Sequence, residues 1–166
     1  SFINKIPKNK NISTYIITVG TPLNSQKKEI TEYMVKTCTE IASVLKDDDT
    51  VILRSTVKIG TTRNIVLPIL KKTGKKFFLS YCPERAVEGS ALKELCVLPQ
   101  VIGGINKKSE YKSINIFKKI TKKILTMKLQ NIQINLPQKY AIYSRRKKVL
   151  NPFITQLKNQ IIERLN

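Results

Sequence analysis

Four short apolar runs, each ending in a polar or Gly/Pro cluster and separated from the next by enough chain for a helix, constrain this sequence most. Tyr15-Ile16-Ile17-Thr18-Val19 stops at Gly20-Thr21-Pro22. Thr50-Val51-Ile52-Leu53 runs into Arg54-Ser55-Thr56-Val57. Phe77-Phe78-Leu79-Ser80-Tyr81 stops at Cys82-Pro83-Glu84, and Gln100-Val101-Ile102 at Gly103-Gly104. Continuous apolar strands alternating with helices indicate an α/β fold whose parallel sheet is covered on both faces. The expected strands are 14–20, 50–55, 76–81 and 100–104. Helices are expected near 28–45, 61–73 and 107–124.

The helical segments carry their own signals. Ile30, Met34, Cys38, Ile41, Ala42 and Leu45 recur at helical spacing, and the polar turn Asp47-Asp48-Asp49 closes that helix. Gly60-Thr61-Thr62 reads as a turn and cap for a helix that Pro68 bends or shortens. Ile114, Phe117, Ile120, Ile124 and Leu125 mark a further helix. In parallel sheets ligands bind at the carboxyl ends of the strands, so all four terminal clusters are expected on one edge.

Absences exclude several chemistries. The 166 residues contain no His and three Cys, without a Cys-x-x-Cys. A structural zinc site and a Ser-His-Asp or Cys-His unit therefore cannot be built from this chain. Three unpaired thiols suit a reducing, cytoplasmic compartment. No uncharged run approaches the roughly 20 apolar residues that span a bilayer, and the first eleven residues lack the apolar core of a secretory leader. Position 1 is Ser, so the sequence is expected to begin inside a longer parent.

Charge opens an alternative. Lys and Arg number 31 against 11 Asp and Glu, a net +20. Such a field attracts polyanions, and a basic nucleic-acid or polyanion-binding module is one alternative reading. It would gather Lys27, Lys28, Lys71, Lys72, Lys75, Lys76, Lys107, Lys108 and Arg145 to Lys148 on one face. The 11 aromatic residues are scattered or sit in apolar strands, with no base-stacking row, so nucleic acid is not the expected partner. An inert gene fragment is the other alternative.

Val19-Gly20-Thr21-Pro22, Ser55-Thr56-Val57-Lys58-Ile59-Gly60-Thr61-Thr62 and Cys82-Pro83-Glu84-Arg85-Ala86-Val87-Glu88-Gly89, in that order and at successive strand ends, resemble the UDP-glucose/GDP-mannose dehydrogenase family. Leu98-Pro99-Gln100-Val101-Ile102-Gly103-Gly104 extends the match, which covers about residues 12–125. The resemblance implies a Rossmann-like parallel sheet, partial and of about four strands, with flanking helices and a divergent C-terminal tail. Residues 1–125 would be a partial NAD-binding domain. Residues 126–166 would be a basic tail with a helix over 151–166, begun by Asn151-Pro152.

The resemblance further implies NAD-dependent oxidation of the C6 hydroxyl of a UDP- or GDP-sugar to a carboxylate, for polysaccharide precursor synthesis. An aldehyde is captured by a Cys, and the resulting thioester is hydrolysed. Val19, Gly20, Thr21, Pro22 and Leu23, with Ser55, Thr56 and Val57, would lie along NAD, and Glu88 would contact its nicotinamide half. The Thr56 hydroxyl would place a water and Glu84 would act in proton transfer and hydrolysis. Glu84, Arg85, Ala86, Val87 and Glu88 would touch the nucleotide sugar. The parent family is homo-oligomeric, and no metal or membrane is implied. The pairing is chemically coherent, because water attacking a thioester needs a carboxylate base and an orienting hydroxyl.

Two family features are missing. No Gly-x-Gly-x-x-Gly pyrophosphate turn occurs, and no Cys follows Cys96, so the Gly-Gly-x-Cys nucleophile is absent. Gly103-Gly104 is followed by Ile105-Asn106 instead. Lys128 and Asn131, three apart, do not fit the family's Lys and Asn four apart.

Overall fold

A computed structural model describes residues 6–7, 11–26, 30–85, 89, 91–127 and 129, all within the first of two compact units, Ser1–Asn131. In chain order the elements are β1 (Thr14–Ile17), α1 (Glu32–Ala42), β2 (Thr50–Leu53), a π-helical turn (Thr62–Val66) continued by α2 (Leu67–Lys71), β3 (Phe78–Tyr81), α3 (Ala91–Val97), β4 (Gln100–Gly104), α4 (Lys107–Phe117) and β5 (Ile124–Thr126). They build one five-stranded, mostly parallel sheet in the order β1-β2-β3-β4-β5. The expected α/β architecture is present. The helix expected over 151–166 lies outside the described residues.

β2 explains the two-layered core. All four of its residues are buried, and alternation sends Val51 and Leu53 to one face and Ile52 to the other. The first face packs against Met34, Cys38 and Ile41, spaced by four and three along α1, and against Val66 and Leu70. The second packs against Cys82, Ile102 and Phe117, with α4 supplying Phe117. Each fully buried aliphatic side chain here contributes about 1.5–3 kcal/mol of transfer free energy. β1 is covered on one face only: Tyr15 and Ile17 are buried, whereas Ile16 is 48% exposed.

β1 pairs parallel to β2, and β2 to β3, as expected. The fourth strand is a correction. β4 runs antiparallel to β3, with Ser80 opposite Gly104 and Tyr81 opposite Gly103. Among the described residues, the connection after β3 holds the seven-residue α3, about 10 Å of helix, and β4 runs back alongside β3. Arg85 marks its path, donating from its guanidinium to the Pro99 carbonyl at 3.2 Å. β4 therefore starts where β3 ends. Gln100, not Gly103-Gly104, reaches the carboxyl edge of the first three strands.

The end of the unit is a second correction. The helix expected over 107–124 stops at Phe117, and Ile124 and Leu125 belong to a fifth strand parallel to β4. Asn106 starts α4, its side chain accepting from the Ser109 N–H at 2.8 Å. Gly104 lets α4 begin close to the sheet, since a Cβ there would lie 2.3 Å from the Glu110 nitrogen. Pro68 sits in the first turn of α2, directly after the π-helical turn, where the sequence anticipated a bend.

Candidate active-site cleft at the carboxyl edge

The segments after β1, β2 and β3 are joined side by side. Arg54 N–H donates to the Ile17 carbonyl (2.8 Å), Cys82 N–H to Leu53 (2.8 Å) and Glu84 N–H to Arg54 (3.0 Å). Side chains complete the connection. Ser55 Oγ donates to the Val19 carbonyl at 2.7 Å, and Thr21 Oγ1 to the Thr56 carbonyl at 2.6 Å. The result is a cleft of about 390 Å³ whose walls are Thr18 to Thr21 on one side and Arg54, Ser55, Thr56 and Glu84 on the other. Gly20 leaves its side of the cleft open, with nothing within 4 Å of where a Cβ would stand.

Of the residues singled out from sequence, Val19, Gly20, Thr21, Ser55, Thr56 and Glu84 meet in this cleft. Pro22 lines an adjoining groove of about 880 Å³ that runs toward Tyr33, Lys36, Thr37 and Glu40 on and beside the exposed face of α1. Leu23 is 62% exposed, and Val57 packs against the core; neither lines the cleft. Arg85 is exposed beside Glu84. Ala86, Val87 and Glu88 lie outside the described residues. Because β4 is reversed, Gly103-Gly104 are strand residues paired with Tyr81 and Ser80 and do not line the cleft.

Sequence reasoning assigned no role to the residues beneath Glu84. Arg54, 6% exposed, forms an ion pair with Glu84 and donates to Gln100 Oε1 at 3.1 Å and to the Cys82 sulfur at 3.4 Å. Its guanidinium lies 5.1 Å from the centre of the Phe117 ring. Gln100 is itself fixed, donating from Nε2 to the Leu95 carbonyl at 3.4 Å. Glu84 is bound at both oxygens, Oε2 by Arg54 and Oε1 by the Arg85 N–H at 2.8 Å. A charged residue closing a buried apolar strand was the available signal for Arg54. Gln100 could be found only once the direction of β4 was known.

The thiols are not poised for attack. Burial pushes Cys82 up to about 11 against the pull of Arg54, with Glu84 adding to the rise. Burial alone takes Cys38 to about 11. Burial also raises the Tyr81 phenol, offset in part by a hydrogen bond to the Val57 backbone and reinforced by Cys82. Among the described residues, no group of three or more His, Cys, Asp or Glu side chains is placed to hold a metal ion. No described helix is long and apolar enough to cross a membrane.

A family model described as the UDP-glucose/GDP-mannose dehydrogenase family, NAD binding domain, matches residues 2–121. A UDP-N-acetyl-D-mannosamine dehydrogenase from Methanococcus aeolicus is 43% identical over 98 residues, which are 57% of this chain and 22% of that protein. A GDP-mannose 6-dehydrogenase from Pseudomonas syringae is 38% identical over 103 residues, 57% of this chain and 24% of that protein. The structure of a UDP-D-ManNAc dehydrogenase from Pyrococcus horikoshii superposes with a TM-score of 0.68 at 27% identity, over 72% of this chain and 29% of that one. The matched part of this chain thus spans about a quarter of the length of these relatives.

Proposed function

Because this chain belongs to the UDP-glucose/GDP-mannose dehydrogenase family through that family's NAD-binding domain, we propose that it forms the cofactor side of an NAD-dependent nucleotide-sugar 6-dehydrogenase. The reaction is oxidation of the C6 hydroxyl of a UDP- or GDP-sugar to a carboxylate, in cytoplasmic synthesis of polysaccharide precursors. UDP-N-acetylhexosamines and GDP-mannose are the substrates suggested by the names of the relatives. The whole enzyme would be a homo-oligomer, as its family is. The observation that carries this reading is the meeting of Thr21, Ser55, Thr56 and Glu84 around one cleft at the carboxyl edge of parallel strands.

The cleft suits one part of a dinucleotide. The open space at Gly20 lets a planar group approach the backbone, and the Ser55 and Thr21 side chains tie the two walls together. Val19, Gly20, Thr21, Ser55 and Thr56 would line NAD, with Pro22 on the adjoining groove and Leu23 and Val57 behind. NAD, when bound, supplies the hydride acceptor. Glu84, held by Arg54 and the Arg85 amide but with 46% of its side chain exposed, would act as the base toward water. Thr56 would orient that water. Arg85, Ala86, Val87 and Glu88 are assigned to the substrate loop, with Glu88 at the nicotinamide half.

Titration of the 15N-labelled full chain with NAD tests the reading. Saturable amide shifts are expected at Gly20, Thr21, Ser55 and Thr56. Affinity should be weak, on the order of millimolar, because no glycine-rich turn grips the pyrophosphate. Gly20→Ala should weaken binding severalfold while leaving the melting temperature unchanged. Shifts confined to another part of the molecule would overturn the assignment.

A further inference from the structure

The opposite edge of the sheet, where β2 and β3 begin and β4 ends, holds a second concavity of about 290 Å³. Leu67, Phe77, Phe78 and Ile105 make its apolar floor, and Lys71, Lys75 and Lys76 stand around it. The lysines are brought together by the fold. Lys71 closes α2, and Gly74, at φ +70°, turns the chain so that Lys75 and Lys76 come back beside it. The Lys76 N–H donates to the Asp47 carboxylate at 2.7 Å, and the Asp48 N–H to the Lys76 carbonyl at 2.6 Å, so this turn is pinned. Lys112, which is not one of the lining residues, has its ammonium 5.0 Å from the centre of the Phe78 ring.

The acidic groups here are Asp48, on the wall, and Asp47, 4.0 Å from the Lys75 ammonium. Three lining ammonium groups against two carboxylates leave one positive charge over an apolar floor. We infer that this concavity binds a small phosphate monoester with a compact apolar body. The excess positive charge favours an anion, and lysines suit a phosphate as mobile point charges around a tetrahedral group. The floor offers the apolar body burial, and the pinned turn lowers the ordering cost of binding. A nucleic-acid strand fits less well, because the concavity has room for about one ring and, among the described residues, no row of exposed aromatic side chains continues from it. The inference is independent of the dehydrogenase reading, since the cofactor cleft lies at the other edge.

Phenyl phosphate titrated into the 15N-labelled full chain is the test. Saturable shifts are expected at the Phe77, Phe78 and Ile105 amides. Inorganic phosphate and phenol should each bind there at least about tenfold more weakly. The triple variant Lys71→Gln/Lys75→Gln/Lys76→Gln should lose at least about tenfold in affinity. Its control, Lys118→Gln/Lys119→Gln/Lys122→Gln, removes the same charge from exposed positions elsewhere and should stay within about twofold. All the substituted side chains are exposed, and amide dispersion checks that both variants fold. Equal losses in the two variants would reduce the effect to the general positive field and overturn the inference. So would shifts centred on Gly20, Thr21 and Thr56, or inorganic phosphate binding as tightly as the ester.

Discussion

A guanidinium with 6% of its surface exposed must find its charge balance inside the fold, and Arg54 finds it in Glu84. Removing one partner of a fully buried pair costs roughly 3–5 kcal/mol. Here the Glu84 side chain is 46% exposed, so Glu84→Ala should cost less, about 1–2 kcal/mol by urea denaturation at pH 7. Adding Arg54→Met should restore part of that loss; a double variant less stable than Glu84→Ala would show that the pair is not coupled. The buried thiols make a second residue-scale prediction. Cys38 and Cys82 are raised from near 9 to about 11, so the folded chain holds these protons more tightly than the unfolded chain. Their stabilising contribution is complete below pH 9 and is lost as pH climbs to about 11. Melting temperature should therefore fall across that window, and less steeply in Cys38→Ala. At pH 8 iodoacetamide should modify exposed Cys96 well before either buried thiol, as read by mass spectrometry.

Among the elements, β2 and the β4–α4 junction carry the most strain-sensitive packing. Ile52 is fully buried between β3, β4 and α4, and Ile52→Ala should cost about 2–5 kcal/mol. Ile16→Ala, on the uncovered face of β1, should cost under about 1 kcal/mol. Gly104→Ala would place a carbon 2.3 Å from the Glu110 nitrogen and 2.6 Å from the Asn106 oxygen. The start of α4 would have to move, at about 1–3 kcal/mol. Urea midpoints rank all three, and Gly104→Ala as stable as the parent would mean that α4 can shift freely. The junction matters to the cleft because α4 ends in Phe117, under the Arg54 guanidinium.

For the whole molecule, the division of labour follows from which groups share an edge. The residues proposed to line the cofactor gather at the carboxyl edge, whereas the cleft has no cysteine among its described walls and the sequence has none after Cys96. Purified chain mixed with NAD and UDP- or GDP-sugars should therefore form no NADH above background, because no thiol is placed to capture an aldehyde. Turnover by the purified chain would contradict this and return Cys82 to consideration despite its raised pKa. The net charge of +20 divides as well. Lys71, Lys75 and Lys76 meet at the opposite edge, while Lys27, Lys28 and Arg145 to Lys148 lie outside the described residues.

Local pattern was enough to locate the first four strands, α1 and the three motifs that meet in the cleft. A continuous apolar run favours burial on both faces, as in β2 though not in β1, and a polar cluster at its end favours a sheet edge. Parallel pairing of β1, β2 and β3 followed, and with it the convergence of Thr21, Thr56 and Glu84. Three features came only from tertiary structure. The direction of β4 depends on how far the chain travels between residues 82 and 99, and apolar spacing carries no information about path. The fate of Ile124 and Leu125 depends on β4 offering an edge to pair with, which overrides a helical spacing that both residues satisfied. The anchoring of Glu84 needs Arg54 and Gln100, 46 positions apart, to meet through antiparallel pairing. Periodicity reports which side of an element is apolar. Which distant polar groups become partners is decided by the packing that excludes water from between them.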